Sequence, residues 1–344
     1  MNKIPNVVVV GIGAVGVEMI RCLKQRKFPF AKLSIFARTA RDTDIDGDTY
    51  SIQAIDPKGF EGIDIALFAG TEGEKGAAVT YADEAIKRGA VVIDNGADFR
   101  LKDEVPLVVP EVNKESIRGH KGLIANPNCT TIQMVVALAQ IQKRFKLEQI
   151  ILTSFQATSG AGKKASQRLW DETSEIAEAN RGKNLDALDK NASGDSDIFA
   201  GQIAFNVIPK IGGFSRDNYT SEELKTVDET HKIFADPSIK ITSTCVRVPV
   251  FTSHCEAVYF KTKKDASLED ISRALKESEG VVFYEDSQSF ALPLEAEGKD
   301  EVFVGRLRRD SFNKSSFWLW CVSDNLRKGA ALNAVQIAEN LLVL

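Results

Sequence analysis

The sequence predicts an α/β chain in two parts, a doubly wound parallel sheet followed by an α+β unit built on a mixed sheet. Three observations carry that prediction. The length, 344 residues, exceeds what one compact core usually holds. Short apolar runs and helical patterns alternate from Asn6 to Asp94, which is the grammar of β-α-β units. Past Cys129 the segments lengthen and mix strand-like alternation with β-branched residues.

The first strand, Asn6 to Val10, carries four consecutive valines. An unbroken apolar run suits a central parallel strand covered by helices on both faces. A helix over Ala14 to Gln25, strands over Leu33 to Ala37 and Ile63 to Phe68, a helix over Lys75 to Arg88 and a strand over Val91 to Asp94 complete the first part. In the second part, strands are expected over Ile150 to Thr158, Ile239 to Val250, Glu256 to Thr262 and Phe317 to Asp324. Helices are expected between them, over Thr130 to Arg144, Lys163 to Asn180, Ser221 to Phe234 and Leu268 to Ser278. Arg181 to Ser196, rich in Asn, Asp, Gly and Ser, reads as a mobile surface loop. A last helix over Lys328 to Leu342 places Leu332, Val335, Ala338 and Leu342 on one stripe, able to pack on either part.

Composition narrows the function classes. A net charge of −4 with no basic stripe argues against nucleic acid as a partner. No apolar stretch approaches the roughly 20 residues that cross a bilayer, and Met1 to Pro5 leave no room for a secretory leader. Five cysteines without C-x-x-C spacing and three separated histidines give no metal site and fit reduced thiols in a cytoplasm.

Gly11-Ile12-Gly13-Ala14-Val15-Gly16 follows the valine strand and opens a helix. In that context G-x-G-x-x-G places a dinucleotide pyrophosphate at a helix N-terminus, which makes the first part a Rossmann-type dinucleotide-binding domain. The bland alternative is a tight turn into a well-packed helix. At the end of the second strand, where an NAD site carries a carboxylate for the ribose hydroxyl, this chain has Arg38-Thr39-Ala40-Arg41. A guanidinium there attracts the 2′-phosphate of NADP(H); otherwise it is a solvated arginine at a strand end.

In Asn126-Pro127-Asn128-Cys129-Thr130 a turn dipeptide precedes a thiol, and a helix follows at once. A helix N-terminus lowers a thiol pKa below the free value of about 8.5. Its N–H groups, with the Asn128 amide, are candidates for an oxyanion hole. Cys22, Cys245, Cys255 and Cys321 read as packing residues. A nucleophilic thiol beside a nicotinamide points to acyl or aldehyde chemistry through a thioacyl intermediate.

Asn126 to Met134, together with Cys245 to Val250 leading to His254, resemble the aspartate-semialdehyde dehydrogenases, particularly the Gram-positive type. Asp94 to Arg100, Val105 to Asn113, Ile203 to Pro209 and Ser323 to Ala331 extend the likeness along nearly the whole chain. The resemblance implies the reversible NADPH-dependent reduction of L-aspartyl-4-phosphate to L-aspartate 4-semialdehyde and phosphate, at the branch to lysine, threonine and methionine. It makes Cys129 the nucleophile, Gln156 the residue that orients substrate, Arg247 the clamp on its α-carboxylate and His254 the acid/base. It makes Arg100 and Lys225 a phosphate-binding pair and Glu222 a contact to the substrate amine. Ser159, Gly160 and Asn325 become contacts beside the nicotinamide. It also implies a dimer or dimer of dimers, with a coenzyme domain over residues 1–128 joined by the helix of 325–344, and a catalytic and dimerisation domain over 129–324.

Two stretches depart from the family pattern. The glycine loop is a residue shorter and lacks a Thr, and Ala69 to Lys75 carries two glutamates where the family is rich in Ser and Gly. Two other readings stay open: a relative of N-acetyl-glutamyl-phosphate reductase, which usually has Gly-Cys-Tyr where this chain has Asn128-Cys129-Thr130, and a nucleotide-binding relative without catalysis.

Overall fold

The structure is a computed structural model, and it describes residues 4–70, 76–192 and 198–343. The first part holds strands β1 (Asn6–Val10), β2 (Lys32–Ala37), β3 (Arg41–Ile45), β4 (Asp48–Ala54), β5 (Ile65–Phe68), β6 (Val91–Asp94) and β7 (Leu123–Ala125). Helices α1 (Ala14–Gln25), α2 (Ala77–Lys87) and α3 (Pro110–Asn113) connect them. The strands form one sheet in the order β3-β4-β2-β1-β5-β6-β7, parallel except for the β3–β4 hairpin. Val7, Val8 and Val9 are wholly buried, as a strand covered on both faces requires. The chain leaves β1 for β2 on one side and continues to β5 on the other, so the order in which strands are added reverses between β1 and β5. Such a crevice, outside the carboxyl ends of the strands, is where open α/β sheets bind ligands.

The second part comprises α4 (Cys129–Phe145), β8 (Leu147–Gln156), α5 (Lys163–Ala179), α6 (Ser221–Phe234), β9 (Lys240–Arg247), β10 (His254–Thr262), α7 (Leu268–Lys276), β11 (Val281–Phe283), α8 (Pro293–Ala296), β12 (Val302–Arg309) and β13 (Ser316–Ser323). Its sheet runs β11-β12-β13-β10-β8-β9 and is mixed, with β8–β9 and β11–β12 parallel and the other pairs antiparallel. One face packs on α4 and α7, where Ile132, Val136, Val258, Phe260, Ile271 and Phe317 are buried together. The last helix, α9 (Leu332–Val343), returns to the first sheet, and Leu332, Val335 and Ile337 share a core with Val7, Val9 and Met19. It does not begin at Lys328 as the periodicity predicts. A π-helical turn over Arg327–Ala331 precedes it, and the buried Lys328 ammonium there donates to both oxygens of Glu111, at 2.8 and 2.7 Å. Among the described residues no helix is long and apolar enough to cross a membrane.

Between α4 and the second sheet lies Glu256, wholly buried, with the Cys321 thiol 3.2 Å from its carboxyl. Burial pushes this carboxyl up to about 8, whereas an unfolded chain ionises a glutamate near 4.3. A group with a raised folded pKa contributes its stability fully below the unfolded value and loses it as pH rises toward the folded one. Glu256→Gln, which keeps the shape and removes the ionisation, should therefore gain on the wild type as pH rises. From pH 5 to 7.5 the gain should be on the order of 3 kcal/mol, read by denaturant unfolding at both pH values. A difference that does not change with pH would show that Glu256 ionises freely in the fold.

Candidate active site

The two sheets bring their functional ends together. In the first sheet the carboxyl ends of β1, β2, β6 and β7 lead into Gly11, Arg38, Asn95 and Asn126. In the second, the parallel register pairs Gln156 with Arg247 at the carboxyl ends of β8 and β9. The antiparallel strand β10 begins at the same edge, where His254 pairs with Ser323 at the end of β13, just before Asn325. A cavity of about 1130 Å³ joins these edges. Gly11, Ile12, Gly13, Ala14, Val15, Gly16, Arg38 and Thr39 line one end of it, and Arg100, Asn128, Cys129, Gln156, Glu222, Lys225 and Arg247 the other, with Ser159, Gly160 and Asn325 between.

The glycine loop is shaped for close approach. Gly11 has φ +101°, and its N–H donates to Phe36 O at 2.8 Å. Gly16 packs so tightly on this turn that a Cβ would lie 2.0 Å from Gly11 O. The first turn of α1 has no capping side chain and no acidic residue, so it suits an external anion such as a pyrophosphate. Arg38 and Thr39 are exposed at the cavity wall, and Arg41 donates to Thr39 O at 3.2 Å. Of the Ala69 to Lys75 stretch, residues 71–75 lie outside the described residues.

Cys129 is the first residue of α4, and Asn128 is its N-cap. The Asn128 Oδ1 accepts from Thr130 N at 2.9 Å and from Thr131 N at 3.4 Å. Its Nδ2 donates to Glu222 at 2.9 Å, and its backbone N–H to Glu229 at 2.6 Å. The expected oxyanion hole is thereby narrowed: the Thr130 and Thr131 N–H groups are committed to the cap, and one N–H of the Asn128 side-chain amide to α6. The expected low thiol pKa is corrected too. Desolvation, reinforced by Glu222, pushes Cys129 up to about 12, against the pull of Arg247, Arg100 and the Thr130 N–H. Gly329, in the π-helical turn, packs where a Cβ would lie 2.8 Å from Cys129 Cβ, so any larger residue there would displace the nucleophile.

Gln156 is 1% exposed and donates to Thr130 Oγ1 at 2.8 Å and to Glu222 at 3.2 Å. The Lys225 ammonium sits 3.7 Å from Glu222, one turn along α6. Arg247 donates to Ala157 O at 2.6 Å. The neighbouring Ala157 N–H donates to His254 Nδ1 at 3.1 Å, so the neutral ring carries its proton on Nε2. Burial, and then Arg247, hold His254 well below its ordinary pKa, so the ring rests neutral. His254 is wholly buried behind Gly160, where a Cβ would lie 3.0 Å from an Arg247 nitrogen and 3.1 Å from His254 Nε2. Arg247 lines the cavity and His254 lies just behind its wall, with only the side-chain-free Gly160 in front of it. Asn325 donates to Ser159 Oγ at 3.0 Å and accepts from Ser253 N at 2.9 Å, which ties the end of β13 to the turn after β8.

The sequence reading did not single out Glu229, Ala157 or Gly329. Glu229 had a signal, since it lies four residues beyond Lys225 and seven beyond Glu222 and so shares their face of α6. The other two act through backbone or through having no side chain, which residue type alone does not reveal.

Two family models match the chain: semialdehyde dehydrogenase, NAD binding domain, over residues 6–120, and semialdehyde dehydrogenase, dimerisation domain, over residues 138–328. The aspartate-semialdehyde dehydrogenase of Bacillus subtilis (strain 168) is 43% identical over 350 residues, covering 99% of this chain and 98% of that one. The chain belongs to the aspartate-semialdehyde dehydrogenase family. Within that family, the enzyme of Aquifex aeolicus (strain VF5) is 42% identical over 96% of this chain and 95% of its own. A crystal structure of aspartate semialdehyde dehydrogenase II from Vibrio cholerae, complexed with ASA, superposes with a TM-score of 0.90 at 40% identity over 99% of both chains. As an aspartate-semialdehyde dehydrogenase the chain is an oxidoreductase of amino-acid biosynthesis, with an NAD(P)-binding domain and a dimerisation domain. Membership sets aside the N-acetyl-glutamyl-phosphate reductase-like and non-catalytic readings.

Proposed function

We propose that the chain reversibly converts L-aspartyl-4-phosphate and NADPH to L-aspartate 4-semialdehyde, phosphate and NADP, with Cys129 as the covalent nucleophile. The observation that carries this reading is the helix-terminal thiol inside one cavity with two cation clusters and a glycine loop. In the reductive direction the Cys129 sulfur attacks the acyl carbon, the acyl–oxygen bond breaks, and the thiol proton leaves with the phosphate. The bound dinucleotide supplies the hydride that reduces the resulting thioester. His254 offers Nε2–H to the oxygen that gains charge in each tetrahedral state, and carries a proton only by giving up the Ala157 contact. The oxyanion left by hydride addition takes one proton from solvent by way of His254, and collapse of the hemithioacetal passes that proton to the sulfur and frees the aldehyde.

Arg247 and Glu222 suit the two ends of an amino acid, the α-carboxylate and the ammonium, and Gln156 holds the acyl group near Cys129. Arg100 and Lys225 suit the phosphate. Ser159, Gly160 and Asn325 would face the nicotinamide, and Gly11 to Gly16 the pyrophosphate. The packing of α9 on β1 and α1 supports a coenzyme domain of residues 1–128 with 325–344, and a catalytic and dimerisation domain of 129–324. Two such chains would associate through the second domain, in a cytoplasm that keeps the five free thiols reduced. The test is the reverse assay. L-aspartate semialdehyde should reduce NADP beyond one equivalent per site only when inorganic phosphate is present, and phosphate-independent turnover would defeat the assignment.

A preference for NADP(H) over NAD(H) rests on Arg38, exposed at the cavity wall where an NAD site would hold a carboxylate. A charge-assisted hydrogen bond contributes about 1.5 to 3 kcal/mol. That corresponds to a preference of roughly 10- to 150-fold. Arg38→Ala should erase most of it when kcat/KM for NADP and NAD are compared. An unchanged ratio, or a wild type that favours NAD, would make Arg38 only a solvated strand end.

A further inference from the structure

We infer that Glu229 is a positioning residue that fixes the distance between the phosphate subsite and the nucleophile, an inference that rests on reading Arg100 as a phosphate ligand. Glu229 is 1% exposed, and each oxygen of its carboxylate has a separate partner. One accepts from the Arg100 guanidinium at 2.9 Å, and the other from the backbone N–H of Asn128 at 2.6 Å. These partners come from different segments. Arg100 belongs to the loop that follows β6, and its other terminal nitrogen donates to Asn95 O at 2.7 Å. Asn128 caps α4 and is bonded to Cys129 itself. A single rigid carboxylate, held on α6 between them, therefore sets how far the guanidinium stands from the sulfur.

The chemistry gives that spacing its value. Displacing phosphate from an acyl carbon requires the attacking sulfur and the departing oxygens to be placed together, and misplacement by about 1 Å can cost on the order of 10²-fold in rate. Glu229 is not among the residues that line the cavity. The helix that carries it also presents Glu222 and Lys225 at spacings of seven and four residues, so one face of α6 holds the ammonium contact, the phosphate contact and the carboxylate that aligns them. Charge is equally part of the role, because a buried guanidinium without a counter-charge would be free to turn with the incoming anion. Glutamine in place of Glu229 has one acceptor atom for two donors, so one of the two contacts must be lost.

The test uses the full-length chain in the phosphate-dependent oxidation of L-aspartate semialdehyde, with inorganic phosphate varied. Glu229→Gln should raise the KM for phosphate about tenfold or more and lower kcat, while the KM for NADP stays within about twofold. Arg100→Leu should raise the phosphate KM as well, and the double variant should raise it no further than Arg100→Leu alone, because the effect on phosphate passes through one guanidinium. Glu229→Asp, which keeps the charge but cannot span both partners, should show the same split, and it decides the matter if the glutamine variant does not fold. A raised phosphate KM in Arg100→Leu with no change in the Glu229 variants would overturn the positioning role and leave the Arg100 reading intact. No change in either would remove Arg100 from the phosphate subsite. Loss of activity in the Glu229 variants with all KM values unmoved and a lowered Tm would mean that the carboxylate only holds the fold.

Discussion

Cys129→Ala should abolish turnover in both directions while NADP still binds with nearly wild-type affinity. The thiol forms the covalent bond that splits acyl transfer from hydride transfer, and no other group in the cavity can replace it. Cys22, Cys245, Cys255 and Cys321 are all buried, and burial pushes each of their thiols upward. The pyrophosphate and ribose contacts proposed above fall to Gly11 to Gly16 and Arg38, cavity residues that do not hold the sulfur, so removing it should not disturb them. Cys255→Ala, on the outer side of the second sheet among Ala291, Ala296 and Val322, is the matched control and should be nearly silent. Steady-state rates with coenzyme titration by fluorescence read both effects. Retention of more than a few per cent of activity by Cys129→Ala would end the covalent account.

Arg247→Leu and His254→Asn should fail in different ways although both side chains meet behind Gly160. On the proposed role of Arg247, its replacement by Leu should strand the substrate carboxylate, and losing one partner of a buried charge-assisted pair costs about 2 to 5 kcal/mol, or roughly 30- to 5000-fold in kcat/KM. Most of that loss should appear as a raised KM for L-aspartate semialdehyde. His254→Asn removes the Nε2–H donor and should lower kcat by about 10² to 10⁴ with little change in KM. The wild-type pH profile adds an independent check. With the His254 pKa depressed well below its ordinary value, the ring stays neutral as pH falls through 6.5, so kcat/KM should show no inflection there. An inflection near 6.5 that disappears in His254→Asn would place the ring in a far more exposed setting.

The sequence disclosed the strands and helices whose patterns are set by burial. The four valines of β1 announced a doubly covered strand, and α6 begins and ends where its residues predict because Thr220 and Glu223 form a capping box. The β3–β4 hairpin was missed although Asp46-Gly47, at φ +54° and +86°, is a two-residue turn of the kind that joins such strands. Of its residues only Ile45 and Ile52 are buried, so an edge ribbon wet on both faces left almost no apolar alternation to read. Strand β12 escaped for another reason: Val302 and Val304 are wholly buried, but Gly305 and then Arg306, Arg308 and Arg309 break its apolar run. In the site, reactive residue types at turns and helix starts were legible. Their settings were not, since the Cys129 pKa is governed by burial and by Glu222 from a distant helix. Two Asn128 donors are likewise directed by Glu222 and Glu229, 94 and 101 residues away in sequence.

The covalent thioacyl intermediate on Cys129 can be tested most directly by mixing the enzyme with L-aspartate semialdehyde and NADP in the absence of phosphate and quenching within a single turnover. Hydride leaves the hemithioacetal, and the thioester then has no phosphate to release it. The account predicts a burst of NADPH limited to one equivalent per site, together with an aspartyl adduct on the peptide that contains Cys129 when the quenched protein is digested and weighed. NADPH formation without a burst, an unmodified Cys129, or an adduct on a different residue would contradict it.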